Sequence, residues 1–441
     1  MARLAPLALA FALATAPCRA APADHGTTCA RGPSGALSEL ACKLARAVAV
    51  QAPNAVVVGV AAPPSSATPF KPAIAVDMAV RLALALGHGA SAWPLGEDRA
   101  RLARFLSPRP LVVVETHLAG DAVETSAQVF APRAAPTVPG ALGLVGDPVL
   151  RVSERHALDA EARRLLPPVP IVLREFVRLA ASDGDVVALA CGDLDGTGVP
   201  TVASVGRTFL TFGTLAGAKY TPGARREERE LAPVAPAPLR EPLAAAWITP
   251  ERSLDFGLSD RAHAARFAGG RAFGLDARLP WPGGGCATLD GLLISPRPLA
   301  CKKDEPVRSE PLESEPFDAI AGAVVVARDG SARIVRAARR ANDGAVVVTD
   351  GTGSVRLEHA GAQLAVGDLD GDGAPELVTT LDTLDPKADG VVVYSWLGST
   401  LTERFRVGVP AGVKALAVCP EVADRMAPIV VATGLGLWAV R

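Results

Sequence analysis

The chain is 441 residues long, with 45 basic against 46 acidic side chains and a net charge of −1. Both signs are interspersed, which excludes the basic footprint of a nucleic-acid binder and a membrane-surface patch. Residues 1–23 read as a secretory signal: Arg3, the apolar run Leu4 to Ala16, and Ala21-Pro22-Ala23 as an Ala-x-Ala cleavage site. The run is too short to span a bilayer as a mature helix. Cys18 follows Thr15-Ala16-Pro17, a poor lipobox because Pro17 stands where a small residue belongs, so lipidation is not expected. Further on, Val48 to Ala62 is broken by Gln51, Pro53 and Asn54, and no stretch offers twenty unbroken apolar residues. The expectation is an exported protein, periplasmic or extracellular, with no membrane span.

Residues 24–168 carry an α/β grammar. Leu37, Leu40, Ala41, Leu44 and Val48 at helical spacing predict a helix over Gly35 to Val50. Ala55 to Val60 is an unbroken run of small and β-branched residues, the mark of a buried strand. A second helix is predicted from Pro72 to Leu86, stopped by Gly87, and a third from Glu97 to Leu106. Leu111 to Thr116 reads as a core strand, and Ala122 to Phe130 as its hairpin partner across Gly120-Asp121. A charged helix is predicted from Ser153 to Leu166, before the linker signal Pro167-Pro168. This order resembles the small α/β domains of exported bacterial proteins of the TolB, FlgO and CsgG/LpoB groups. The shared elements are Val56 to Val60, the helix over Ala79 to Leu86, and the strand pair around Leu111 to Phe130. The TolB family also joins such a domain to a propeller, although its propeller repeats differ from those here, so no partner is carried over.

From residue 169 onward, short apolar runs alternate with turns. Ala188 to Cys191 leads into Gly192-Asp193-Leu194-Asp195-Gly196-Thr197-Gly198-Val199-Pro200-Thr201. Strand-like runs follow at Leu243 to Ile248, Ala264 to Leu275, Ala287 to Ser295, Ile320 to Val335 and Ala345 to Leu357. Several end in hairpin signals such as Asp329-Gly330 and Asp350-Gly351-Thr352-Gly353. Two segments read as surface insertions: Pro222 to Pro242, with the charge run Arg225 to Glu230, and Cys301 to Pro316.

The most informative stretch is Gly367-Asp368-Leu369-Asp370-Gly371-Asp372-Gly373-Ala374-Pro375-Glu376-Leu377. Three aspartates at alternate positions, on a loop that its glycines allow to curl, suit a hard cation of calcium size. An EF-hand would place Glu at loop position 12 and continue as a helix; here that position is Thr379, and Glu376 to Thr380 reads as a strand. The loop, from Gln363 to Thr380, resembles the FG-GAP (VCBS, integrin-alpha-like) repeat. That resemblance implies calcium ligation by Asp368, Asp370, Asp372, the Ala374 carbonyl and Glu376. Gly192 to Thr201 aligns with it without a gap, but Thr197 and Thr201 replace two acids. A site at Asp193, Asp195, Thr197 and Val199 is therefore expected to bind weakly or not at all. A third, fainter copy keeps two strands, Ala415 to Cys419 and Ala427 to Val431, without the acidic ladder.

Asp193 and Asp368 stand about four units of ~44 residues apart, a propeller-blade length. The predicted fold is mixed and two-domain: an α/β sandwich over 24–168, then an FG-GAP-like β-propeller over 169–441. About six blades fit, and seven if the 222–318 region divides more finely. Ile171 to Val187 would complete the short last blade and lock the ring.

Six cysteines remain after the leader, an even number in an exported chain, and six allow fifteen pairings. The preferred set is Cys29 with Cys42, Cys286 with Cys301, and Cys191 with Cys419. The last two end equivalent repeat strands in the first and last blades; the alternative is that both are small buried hydrophobes.

No catalytic motif stands out. His25, His88, His117, His156, His263 and His359 are scattered without metal-ligand spacing. Cys286, after three glycines, has no adjacent base to activate it. Glu115 and His117 alternate on one strand face, a pattern typical of a solvated surface. The favoured expectation is a non-catalytic binding or scaffold protein that offers a calcium-stabilised propeller to an unknown protein or glycan. The alternatives are a lyase or hydrolase with its site on the propeller axis, and an envelope assembly module acting through the α/β domain.

Overall fold

The structure, a computed structural model, describes residues 35–52, 54–60, 73–87, 90–94, 109–119, 122–132, 147–163, 165–181, 185–217, 219–227, 242–301, 315–327, 331–420 and 425–441. The signal segment expected over residues 1–23, together with His25, Cys29, His88, the helix expected over Glu97 to Leu106 and the turn at Asp329-Gly330, lies outside the described residues.

The first unit is a two-layer α/β sandwich. Helix α1 (Ala36–Val48) buries the predicted stripe of Leu37, Leu40, Ala41, Leu44 and Val48. Strand β1 (Val56–Val60) is followed by helix α2 (Ala73–Leu86), β2 (Ser91–Pro94), β3 (Leu111–Ala119), β4 (Ala122–Phe130) and β5 (Leu150–Ala157). The sheet order is β2-β1-β3-β4-β5, with β1 parallel to both neighbours and the remaining pairs antiparallel. Both helices cover one face, packing Met78 and Leu82 with Val57, Val112, Val123 and Val129. Gly59 permits this contact, because a Cβ there would sit 1.7 Å from the Ala75 carbonyl oxygen of α2.

The charged helix expected from Ser153 to Leu166 is corrected. Its first residues belong to β5, whose side chains alternate between half-buried and exposed, the two-residue period of an edge strand. Charged side chains on an edge also discourage pairing with other chains. The helical part is a single short turn, α3 (Ala160–Arg163). Asp159 caps it, accepting from the Ala162 N–H at 2.9 Å, and also accepts from the Ala36 N–H of α1 at 2.6 Å.

The second unit is a five-bladed β-propeller, in place of the six or seven blades expected. Strand β6 (Phe176–Ala181) precedes blade one, which comprises β7 (Val186–Gly192), β8 (Thr201–Gly206), β9 (Phe209–Ala216) and β10 (Lys219–Glu227). Blade two comprises β11 (Ala244–Ile248), β12 (Leu254–Leu258), β13 (Ala265–Ala268) and β14 (Arg271–Gly274). Two small hairpins follow, β15 (Leu279–Trp281) with β16 (Gly285–Ala287), and β17 (Leu289–Asp290) with β18 (Leu293–Ile294). Blade three is β19 (Phe317–Val326), β20 (Ala332–Arg340), β21 (Val346–Thr349) and β22 (Ser354–Leu357), with β18 joined to the start of β19. Blade four is β23 (Leu364–Gly367), β24 (Glu376–Thr380), β25 (Gly390–Leu397) and β26 (Thr400–Gly408). Blade five is β27 (Ala415–Val418), β28 (Ile429–Thr433) and β29 (Gly436–Val440), completed by β6.

The inner strands β7, β11, β19, β23 and β27 contact one another in a closed cycle. Each gap between blades holds its own apolar core. Leu189 and Phe209 meet Val430 and Leu437 between blades one and five, and Ala203 and Leu210 meet Leu254 and Phe256 between one and two. Ala245 and Phe317 sandwich Trp281 between two and three; Val335 and Val348 meet Leu377 between three and four; Val378 and Val391 meet Ile429 and Val431 between four and five. The unit length misled the count. Asp193 and Asp368 follow the inner strands of blades one and four, three steps apart, because the hairpins β15–β18 take up residues that a 44-residue period would assign to another blade. The predicted insertion from Pro222 is also corrected in part: Pro222 to Glu227 belongs to the outer strand β10, where Arg225 lies over the Phe209 ring at 4.5 Å.

Cys191 bonds to Cys419, and Cys286 to Cys301; Cys42 is also disulfide-bonded. The Cys191–Cys419 bridge closes a span of 228 residues and staples blade one to blade five; the other closes 15. By chain entropy the long bridge contributes about 5 kcal/mol and the short one about 3 kcal/mol. Denaturant melts of the two paired Cys→Ser variants test this: removing Cys191 and Cys419 should cost the propeller more than removing Cys286 and Cys301.

Candidate metal centre

The acidic loop joins β23 to β24 in blade four. Its leading glycine is required by the neighbouring blade, since a Cβ on Gly367 would lie 2.5 Å from the Val418 side chain of β27. Gly192 answers the same demand in blade one, with Ile248 of β11 at 3.1 Å. Gly371 and Gly373 then take φ of +73° and +81°, a region that side chains with a Cβ rarely adopt.

This curl wraps the backbone around Asp368. Its Oδ1 accepts from the Gly371 N–H and its Oδ2 from the Gly373 N–H, each at 2.8 Å. Asp370 accepts from the Asp372 N–H at 2.9 Å. Glu376, at the start of β24, is buried and accepts from the Leu369 N–H at 2.7 Å and from Ser395 of β25. One carboxylate oxygen from each of Asp368, Asp370 and Glu376 falls within 4.8 Å of the others.

Three carboxylates so placed in a half-dry site repel one another. Burial first, then the charge of Asp372, pushes the Asp370 carboxyl up to about 7. Burial, with the charges of Asp370 and Asp368, also holds Glu376 well above the usual carboxylate range. Arg404 of β26 only partly offsets this: its charge favours ionised Asp370, while its Nε donates to Ser395 Oγ at 2.9 Å. The donor set is all oxygen, pre-positioned by backbone N–H groups and short of positive charge, which fits a hard divalent cation.

The structure therefore brings together three of the predicted ligands, Asp368, Asp370 and Glu376. Asp372 lies outside this cluster; its Oδ1 accepts from the Ala374 N–H at 2.6 Å. In the blade-one copy, Gly196 and Gly198 repeat the positive φ values, and Asp193 accepts from the Thr197 and Gly198 N–H groups at 3.0 and 3.2 Å. The Val199 N–H turns to the Thr197 hydroxyl at 3.3 Å. The Arg252 guanidinium of blade two lies against Gly196, where a Cβ would meet it at 2.0 Å. The loop shape thus survives in blade one without the acidic cluster: among the described residues, carboxylates converge on a metal-sized volume only in blade four.

Residues that motif reading missed are Leu369, Ser395 and Arg404. Leu369 is fully buried, packs with Met426 and Ile429 of blade five, and accepts from the Ala427 N–H at 2.8 Å. Its apolar character inside an acidic run was the available signal. Ser395 and Arg404 come from later strands, and nothing in the loop points to them. Elsewhere, His117 faces Glu124 across the β3–β4 pair at 3.6 Å, and Cys286 is held in its disulfide.

No protein-family model and no curated protein matches this chain, so the FG-GAP likeness remains one of the motif. Among solved structures, TolB from Acinetobacter baumannii aligns over 89% of this chain and 94% of its own at 9% identity, with a TM-score of 0.32. SapL1 lectin in complex with alpha methyl fucoside aligns over 57% and 76% at 13% identity and 0.28. An endo-1,4-beta-xylanase from Bacteroides thetaiotaomicron aligns over 59% and 97% at 10% identity and 0.29. Scores this low carry no argument; the fold rests on the strand order and the closed cycle of inner strands.

Two outcomes are expected. The Asp370 carboxyl is raised from its ordinary value to about 7, so between pH 4 and 7 the cation-free folded protein holds a proton that the unfolded chain has lost. Its stability should fall as pH rises through that window. Saturating calcium should remove the fall, as read from melting curves against pH with chelator and with calcium. Leu369→Ala should cost about 3 kcal/mol in denaturant melts by emptying a packed site, and should weaken cation binding, since the buried Leu369 side chain anchors the loop that carries Asp368 and Asp370.

Proposed function

We propose that the protein is an exported, non-catalytic binding or scaffold protein, in which a calcium ion staples blade four and the propeller presents a protein- or glycan-binding surface. The observation that carries this reading is the chemistry of the axis. The five inner strands are apolar throughout except at Cys191 and Asp318, built mainly of Ala, Val, Leu, Ile and Gly with Trp247 and Phe317. Outside the disulfide they bring one ionisable side chain to the ring, Asp318, which pairs with Arg339. Burial raises the Asp318 carboxyl. A hydrolase or lyase needs a nucleophile or an acid–base pair facing its substrate, and an isolated Asp–Arg pair supplies neither. The disulfides, one of them spanning 228 residues, support an oxidising compartment. The acidic cluster supports a structural cation, because its N–H donors and its buried Leu369 tie one loop to two blades.

The reading makes two demands. Calcium at a hundredfold excess over its dissociation constant should stabilise the protein by about 2.7 kcal/mol, and this gain should vanish in Asp370→Asn/Glu376→Gln. Incubation with envelope glycans and ester or glycosidic substrates should return them unchanged. Turnover that is lost in Asp318→Asn would replace the binding reading with the axial enzyme.

A further inference from the structure

A cavity of about 280 Å³ opens between blades three and four. Its floor is apolar: Val325 and Val335 of blade three, and Pro375 and Trp396 of blade four. Its rim is an ion pair with a hydroxyl. Arg333 Nη1 donates to Asp350 Oδ2 at 3.2 Å, and Thr352 donates to Asp350 Oδ1 through both its N–H and its hydroxyl at 2.8 Å. Three glycines line the mouth. Gly353 lies beside the Trp396 ring, where a Cβ would sit 3.8 Å from Cζ2, and Gly373 and Gly398 take positive φ. Trp396 is only half-buried, and its indole N–H is already satisfied by the Gly398 carbonyl at 2.8 Å. The ring therefore presents hydrocarbon faces and edges without an unmet polar group.

These features restrict the ligand. The volume lies below the range of drug-sized sites, about 300–1,000 Å³, so it accepts roughly one ring. Arg333 and Asp350 neutralise each other, so the rim does not select a charged ligand; the negative loop beyond Gly373 further disfavours an anion. What the rim offers is donors and an acceptor side by side, above an aromatic and aliphatic floor. A neutral ring with an apolar face and adjacent hydroxyls meets both halves. We propose that this inter-blade cavity binds a single neutral pyranose, the exposed end of a glycan, with Trp396 against its C–H face and the Arg333–Asp350 pair on adjacent hydroxyls. The proposal rests on the binding reading above and names its ligand class. The site is separate from the acidic cluster, which lies inside the loop whose outer backbone, Gly373 to Pro375, forms one wall.

The test is saturation-transfer NMR and calorimetry on the full chain with a panel of methyl pyranosides of the common neutral hexoses, deoxyhexoses and N-acetylhexosamines. At least one should bind saturably and transfer through its C–H face. Trp396→Leu keeps apolar packing but removes the aromatic face, and Arg333→Lys keeps the pair with Asp350 but removes the planar fork. Each should weaken binding about tenfold while its melting temperature stays near that of the parent chain. No saturable binding across the panel, or binding unchanged in both variants, overturns the proposal. Either result leaves the binding reading standing, because that reading fails separately, on turnover of a substrate.

Discussion

Closure of the ring is the constraint on which the rest depends. Each inter-blade core is shared by two sheets, so no blade can bury both of its faces alone. An open ring would expose Leu189, Phe209, Val430 and Leu437 together. The chain closes it twice. Strand β6, made before the first blade, pairs with β29 at the C-terminus, where the Arg441 N–H and carbonyl bond the backbone at Glu175 and Arg174. The Cys191–Cys419 bridge then joins the inner strand of blade one to the end of that of blade five. One closure is hydrogen-bonded and the other covalent, and both act on the same pair of blades.

Within this apolar ring the acidic loop is a local exception, and its position explains why it is tolerated. Leu369 plugs into blade five while its flanking aspartates turn the other way, so the single turn between β23 and β24 anchors two blades and gathers carboxylates. The Asp370 carbonyl also accepts from the Val169 N–H at 2.9 Å, which docks the segment after Pro167-Pro168 onto the same loop. A cation there would reinforce three contacts at once: to blade five, to β25 through Ser395, and to the connection from the α/β unit. Blade one keeps the glycine geometry but has Thr197 and Thr201 where the acids would be. It can hold its turn through Asp193 alone, without gathered negative charge to neutralise.

Much of this was legible locally. The stripe of α1, the β-branched run of β1 and the β3–β4 hairpin follow from period and turn chemistry within a few residues. The alternate aspartates and the glycines between them lie in one short segment, so spacing pointed to Asp368 and Asp370, whereas Glu376 came from the resemblance to the FG-GAP repeat and Asp372, also expected, lies outside the cluster. The charged run at Ser153 was misread because its charges alternate along an edge strand, and charge alone does not distinguish that from a solvated helix face. Ser395, Arg404, Trp396 and Arg333 could not have been assigned, since their roles arise from strands brought beside the loop by blade packing.

What the sequence determined by itself is therefore short in range: the apolar strand runs, which turns need glycine, where acids crowd, and which cysteines end equivalent strands. The tertiary structure decided the number of blades, the closed cycle of inner strands, and the separation of the acidic cluster from the neighbouring cavity. Blade count depends on how five sheets share their cores and on hairpins β15–β18 filling the gap at Trp281, a sum over distant contacts that no local period encodes. The cavity forms only where blade packing brings Val325, Val335 and Gly353 of blade three beside Trp396 of blade four, residues far apart in the chain.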